Sequence, residues 1–91
     1  MNLKIIDYMW GIDRKTGERS EVKIAEETYE ITSLSQELKI STVTFTVIES
    51  TDRSVMLSIY NKKILVELDK TTMYRPRSFD AGHFYEMSLT K

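Results

Sequence analysis

The chain contains no cysteine, one proline, one histidine, one tryptophan and three glycines among its 91 residues. The missing cysteines exclude disulfides, thiol catalysis, zinc fingers and iron–sulfur ligation within this chain. They also favour a reducing compartment, because small exported domains commonly rely on disulfides. A single histidine and no cysteine leave no transition-metal ligand set, and no closely spaced run of oxygen ligands with a glycine resembles a calcium loop. No metal and no cofactor is therefore expected.

Long apolar runs are absent too. The longest uncharged stretch, Ile40 to Ile48, has nine residues, far short of the roughly 20 a membrane-crossing helix needs. Asp7 interrupts the N-terminal region where an export signal would carry its apolar segment. A cytoplasmic location is expected, with no membrane partner. Charge of one sign does not dominate either: the net charge is −1 and the pI about 5.8, which argues against nucleic acid as a partner. The balance is local, however. From Asp13 to Glu37 seven acids face four bases, whereas from Arg53 to Arg77 six bases face two acids.

What is present is alternation with a period of two. Val43, Phe45 and Val47 fall on one face of "VTFTV", Val55, Leu57 and Ile59 on one face of the next segment, and Ile64, Val66 and Leu68 on one face of "KILVEL". "HFYEMSL" aligns His83, Tyr85, Met87 and Leu89. Alternation rich in β-branched and aromatic residues marks half-buried strands, and no window sustains an apolar helical stripe. Polar turns punctuate the pattern: "DRKTGE" with Gly17, "STDRS", and "NKK" with Asn61 suited to positive φ. The segments "EVKI" and "TYEIT" read as two short strands separated by Ala25 to Glu27. "SLSQEL" reads as an irregular link, with a one-turn helix or a strand as alternatives, and a break is expected near Ser41. With 91 residues making one domain, 1–91, the expected fold is all-β: a small single-domain antiparallel β-sandwich or barrel of about seven short strands.

"MYRPRSFDAGHFYEM" concentrates rare residues: the only proline, the only histidine and two of the five arginines. Pro76 fixes its own φ and biases Arg75 toward extended backbone, so Arg75 and Arg77 project to similar sides. Two guanidinium forks so placed suit a phosphate or a carboxylate. Arg75, Arg77, His83, Tyr74 and Phe79 are thus the candidate residues for an anionic small ligand, a nucleotide or phosphorylated metabolite. Gly82 is expected to turn the chain into the last strand. No catalytic residue emerges. Ser78, Asp80 and His83 lie near one another in sequence without a nucleophile motif, and the acidic run from Glu21 to Glu30 has the spacing of exposed strand positions.

Tyr8, Trp10 and Ile6 share one face of the first strand, while Leu3, Ile5 and Met9 share the other. Apolar residues on both faces fit a central strand or one that meets another subunit, so Tyr8, Trp10 and Ile6 are the candidate interface residues. The sequence thus points to a non-catalytic interaction or accessory module that self-associates or binds another protein, with anionic-ligand binding as the alternative.

Overall fold

The structure is a computed structural model and describes residues 1–12, 14–76 and 82–91, with only the backbone of Ile12. It is all-β. The described residues form eight strands: β1 (Asn2–Ile12), β2 (Arg19–Glu30), β3 (Glu37–Ile40), β4 (Val43–Ser50), β5 (Ser54–Ile59), β6 (Lys62–Glu67), β7 (Thr71–Tyr74) and β8 (His83–Thr90). They build two antiparallel four-stranded sheets, ordered β2-β1-β8-β7 and β3-β4-β5-β6, packed face to face. Among the described residues no helix is long and apolar enough to cross a membrane.

The second sheet is a plain meander, β3 through β6, and its turns explain its register. Tyr60 and Asn61 both take positive φ, 47° and 63°, the pair of left-handed residues that a tight two-residue hairpin requires. Ser41, with φ 52°, begins the turn between β3 and β4, so the expected break near that residue is the hairpin itself. The three strands between Val43 and Glu67 follow the periodicity: Val43, Phe45 and Val47, then Val55, Leu57 and Ile59, then Ile64 and Val66 are buried, and the alternation lapses only after Val47, where the β4–β5 register shifts.

Three elements differ from the sequence reading. The segments on either side of Ala25 are one twelve-residue strand. Asp7 pairs with Ala25 and Tyr8 with Lys23, leaving Ile24 as the extra residue of a β-bulge, and a bulge changes the apolar phase without ending the strand. "SLSQEL" divides: Glu37 to Ile40 is a strand with Leu38 and Ile40 buried. The residues before it form a link, in which the Gln36 side chain accepts from Thr32 N–H and donates to the Glu30 carbonyl. Thr71 to Tyr74 is a further strand, where about seven were expected and no alternation marks one. It pairs with β8 over only four residues, too few for alternation to stand out.

The core lies between the sheets. Leu3 and Ile5 of β1 and Tyr85, Met87 and Leu89 of β8 meet Leu38, Phe45, Val47, Leu57 and their neighbours from the second sheet. Phe45 packs edge-on to Tyr85 at 5.5 Å and to Tyr74 at 6.2 Å, while the two tyrosines stack at 6.1 Å. This perpendicular and offset arrangement is the one the ring quadrupoles favour. The sheets are also tied at their edges. The Tyr29 hydroxyl donates to the Lys39 carbonyl from β2 to β3, and Asp69, with φ 60°, turns the chain from the second sheet back to the first.

The molecule is elongated, 47 × 25 × 17 Å, because β1 and β2 outrun the core. Leu3 and Ile5 are fully buried, yet Met9 on the same face is 39% exposed. The outer half of the β1–β2 hairpin is therefore an arm that the second sheet does not cover.

Candidate functional site

The arm and the adjoining end of β8 gather the residues with chemistry. Antiparallel partners share a face, so the pairings of Met9 with both Val22 and His83 put all three on the inner side of the first sheet. Beyond the core this side becomes an open ledge, with Met9 39% and Val22 50% exposed, and Ile24 at the neighbouring bulge is 44% exposed. Gly11 keeps the ledge low. A Cβ there would come within 3.3 Å of a Val22 methyl group.

Where ledge meets core lies Asp7, the only buried polar side chain among the described residues. Its carboxylate accepts from the Ser41 hydroxyl at 2.6 Å and from the His83 Nδ1–H at 3.0 Å. A carboxylate is acceptor-only, so it selects the Nδ1–H tautomer of His83 and leaves Nε2 as the ring's other polar atom. The three residues come from β1, the β3–β4 turn and β8, so one buried carboxylate pins both sheets together. The order is Ser–Asp–His, with the acid in the middle. A nucleophilic triad requires the imidazole in the middle, between hydroxyl and acid, so this arrangement does not activate Ser41.

The outer side of the same sheet carries a second cluster. Phe84 is buried although it faces away from the core. Tyr8 stacks on it at 5.1 Å and 12°, Trp10 lies against it at 5.1 Å and 36°, and the Arg75 guanidinium sits 5.5 Å from its ring centre. Ile6 is buried on this side as well. The expected interface residues Ile6, Tyr8 and Trp10 thus lie together on the outer face, with Trp10 the most exposed of them at 36%.

The residues considered for an anionic ligand are separated. Arg75 is on the outer face above Phe84. His83 is on the inner face beside Asp7. Tyr74 is half-buried and packs into the core against Phe45 and Tyr85. Arg77 and Phe79 fall outside the described residues, as do Asp80 and Ala81 of the expected turn, whose Gly82 does take positive φ, 99°. Arg75 forms no ion pair with a described acid.

Sequence reading missed Asp7 as a structural group, Phe84 as the centre of the outer cluster, and the ledge. The signal for Asp7 was available: it shares the face of Leu3 and Ile5, where an unpaired acid would be costly. Ionisation is perturbed at three described groups. The exposed Lys23–Glu26 pair, 3.0 Å apart, raises the lysine and lowers the glutamate, each chiefly through their mutual hydrogen bond. Burial, reinforced by the Glu27 charge, pushes the Tyr29 phenol up to about 12. No group of three or more potential metal ligands gathers among the described residues.

Comparison with protein-family models finds no match, and comparisons with curated proteins and with solved structures find none either. The fold and the exposed arm therefore carry the functional argument.

Proposed function

We propose that this chain is a non-catalytic cytoplasmic interaction module that associates with a second copy of itself through the β1–β2 end of its first sheet. The observation that carries this reading is the arm. Met9, Trp10, Val22 and Ile24 are all at least 36% exposed on one hairpin that extends past the core. A cluster of large apolar side chains on a projecting element is the expected mark of an interaction surface. The strand β2, twelve residues long, is also a sheet edge, and an edge offers its backbone N–H and C=O groups to a further strand. The lack of cysteine supports a reducing compartment. Sedimentation velocity over a hundredfold concentration range tests the reading. A dimer that weakens when Val22 and Ile24 are both replaced by serine is expected. A chain that stays monomeric throughout overturns it.

One observation favours a second reading. The Arg75 guanidinium lies over Phe84 without a described acid partner, and an arginine stacked this way keeps its N–H edge available to a phosphate or carboxylate. Binding of an anionic small molecule would then involve Arg75 on the outer face, with Arg77 as its sequence neighbour, and would leave His83 aside. A panel of nucleotides and phosphorylated metabolites should raise the melting temperature, and Arg75→Ala should remove the rise. No shift with any of them overturns this second reading.

A further inference from the structure

The charges along β2 specify how two copies would meet. Between Arg14 and Ile24 there are four bases (Arg14, Lys15, Arg19, Lys23) and two acids (Glu18, Glu21), whereas from Ala25 to Glu30 there are three acids (Glu26, Glu27, Glu30) and no base. The arm is positive toward its tip and negative toward the body. Two such strands side by side in parallel would set like against like. Laid antiparallel, each tip lies along the acidic half of its neighbour.

We infer that the protein forms a two-fold dimer by antiparallel β2–β2 pairing centred on Val22, which joins the two first sheets into one continuous eight-stranded sheet. This inference rests on the self-association proposed above and assigns its geometry. A two-fold axis normal to a sheet keeps each face on its own side and places one residue of the strand opposite its own copy. The β2 edge is regular from Arg19 to Lys23 and bulged at Ile24, which places the two-fold axis itself between Arg19 and Lys23. Within that segment the registers are unequal. Centring on Glu21 opposes that acid to itself and Arg19 to Lys23. Centring on Lys23 or on Arg19 opposes that base to itself. Centring on Ser20 sets Arg19 opposite Glu21 twice but brings Val22 level with Glu18 rather than with its own copy. Centring on Val22 sets Glu21 of each copy opposite Lys23 of the other, twice, on the outer face.

The inner face gains in the same register. Val22 meets Val22 of the second copy, and the two Met9 ledges flank them. A single apolar strip then runs between the two second sheets, which lie at opposite ends of the joined sheet and leave each other room. The exposure of Val22 and Met9 in the single chain is what this arrangement removes. Glu21 and Lys23 also sit on the same side as Tyr8 and Trp10, through the pairings Trp10 with Glu21 and Tyr8 with Lys23. The charged pairs therefore border the aromatic face and guard the register from outside.

Charge exchange tests the geometry at exposed positions; Lys23 also pairs with Glu26 of its own chain at 3.0 Å, a pair that Glu21→Lys leaves intact. Glu21→Lys and Lys23→Glu each turn both cross-strand attractions into repulsions and should weaken the dimer about tenfold or more in sedimentation equilibrium at low salt. The double exchange restores complementarity within one chain. An equimolar mixture of the two single variants restores it between chains, so both should recover the dimer. A second measurement uses the natural absence of cysteine: Val22→Cys should give a covalent dimer under mild oxidation, whereas Thr28→Cys should not. If the parent dimerises but the single exchanges leave it unchanged, or the mixture fails to recover it, this register is wrong while self-association stands. If the parent is monomeric at every concentration, or engages only a strand from another protein, both proposals fall.

Discussion

Replacing Asp7 isolates the group that fastens the two sheets at the base of the arm. In Asp7→Ala two hydrogen bonds to the carboxylate disappear, one from Ser41 at 2.6 Å and one from His83 at 3.0 Å. A bond to a carboxylate contributes about 1.5–3 kcal/mol when both partners are dry. Ser41 is exposed and regains water when released, so its bond is worth about 1 kcal/mol. The His83 side chain is only 25% exposed and regains less, which assigns its bond about 2 kcal/mol. The expected loss is about 3 kcal/mol, within the range found when one member of a buried polar pair is removed. For a chain of this length an unfolding entropy of about 2.1 cal/mol/K per residue converts 1 kcal/mol into about 5 °C. Asp7→Ala should therefore melt about 15 °C below the parent, and Ser41→Ala about 5 °C below it, by circular dichroism at neutral pH. Asp7→Asn, which retains the shape and an acceptor oxygen, should fall between. The double change Asp7→Ala with Ser41→Ala should cost no more than Asp7→Ala alone, because both remove the same bond. A loss under about 0.5 kcal/mol for Asp7→Ala, or full additivity in the double variant, would refute the reasoning.

Two further predictions concern the turns and the edges. Tyr60 holds φ at 47° without the glycine or asparagine that such a turn prefers, so Tyr60→Asn should stabilise the protein by about 0.5 kcal/mol in urea denaturation; destabilisation would mean that the tyrosine ring contributes more than the backbone strain. Tyr29 has its phenol raised to about 12 against an ordinary value of 10.0. A group whose folded value exceeds its unfolded value contributes stability below the unfolded value and loses it as pH climbs toward the folded one. The melting temperature should accordingly fall between pH 10 and 12, with a shallower slope in Tyr29→Phe, and identical slopes in parent and variant would contradict this.

The sequence is most readable where one residue in two is apolar and the turns carry their own signals. Val43 to Val66 satisfies both conditions, and its strands are those the periodicity predicts. It is least readable where pairing partners are distant. Thr71 to Tyr74 is a strand because β8 lies beside it, and its four residues hold no alternation strong enough to announce this. The bulge at Ile24 hides the continuity of β2, since one extra residue reverses the apolar phase and imitates a break. The site divides the same way. Ile6, Tyr8 and Trp10 are recognisable as a shared face from spacing alone. Arg75 and His83 look adjacent in the chain, yet the parity of β8 sends His83 inward to Asp7 while Phe84, one residue on, faces outward under Arg75. No local pattern places Ser41 beside Asp7, 34 residues away, because that contact exists only once the sheets have stacked.

The division of strands between the sheets also sets a schedule for folding. The second sheet is contiguous from Glu37 to Glu67, and each of its pairings closes through a short turn. The first sheet is split between the two ends of the chain: β1 must find β8, with Asn2 opposite Thr90. Loop-closure entropy delays such distant pairings relative to local ones. In chain order β1 and β2 precede β8, so the pairing of β1 with β8 can close only after β3 to β7 have been synthesised. The second sheet needs only its own short turns to pair, and in the finished fold it covers Leu3 and Ile5. The two ends of the chain are thus joined on a sheet made from its middle, and a cut anywhere between Glu37 and Glu67 would leave β1 and β8 without the face they share.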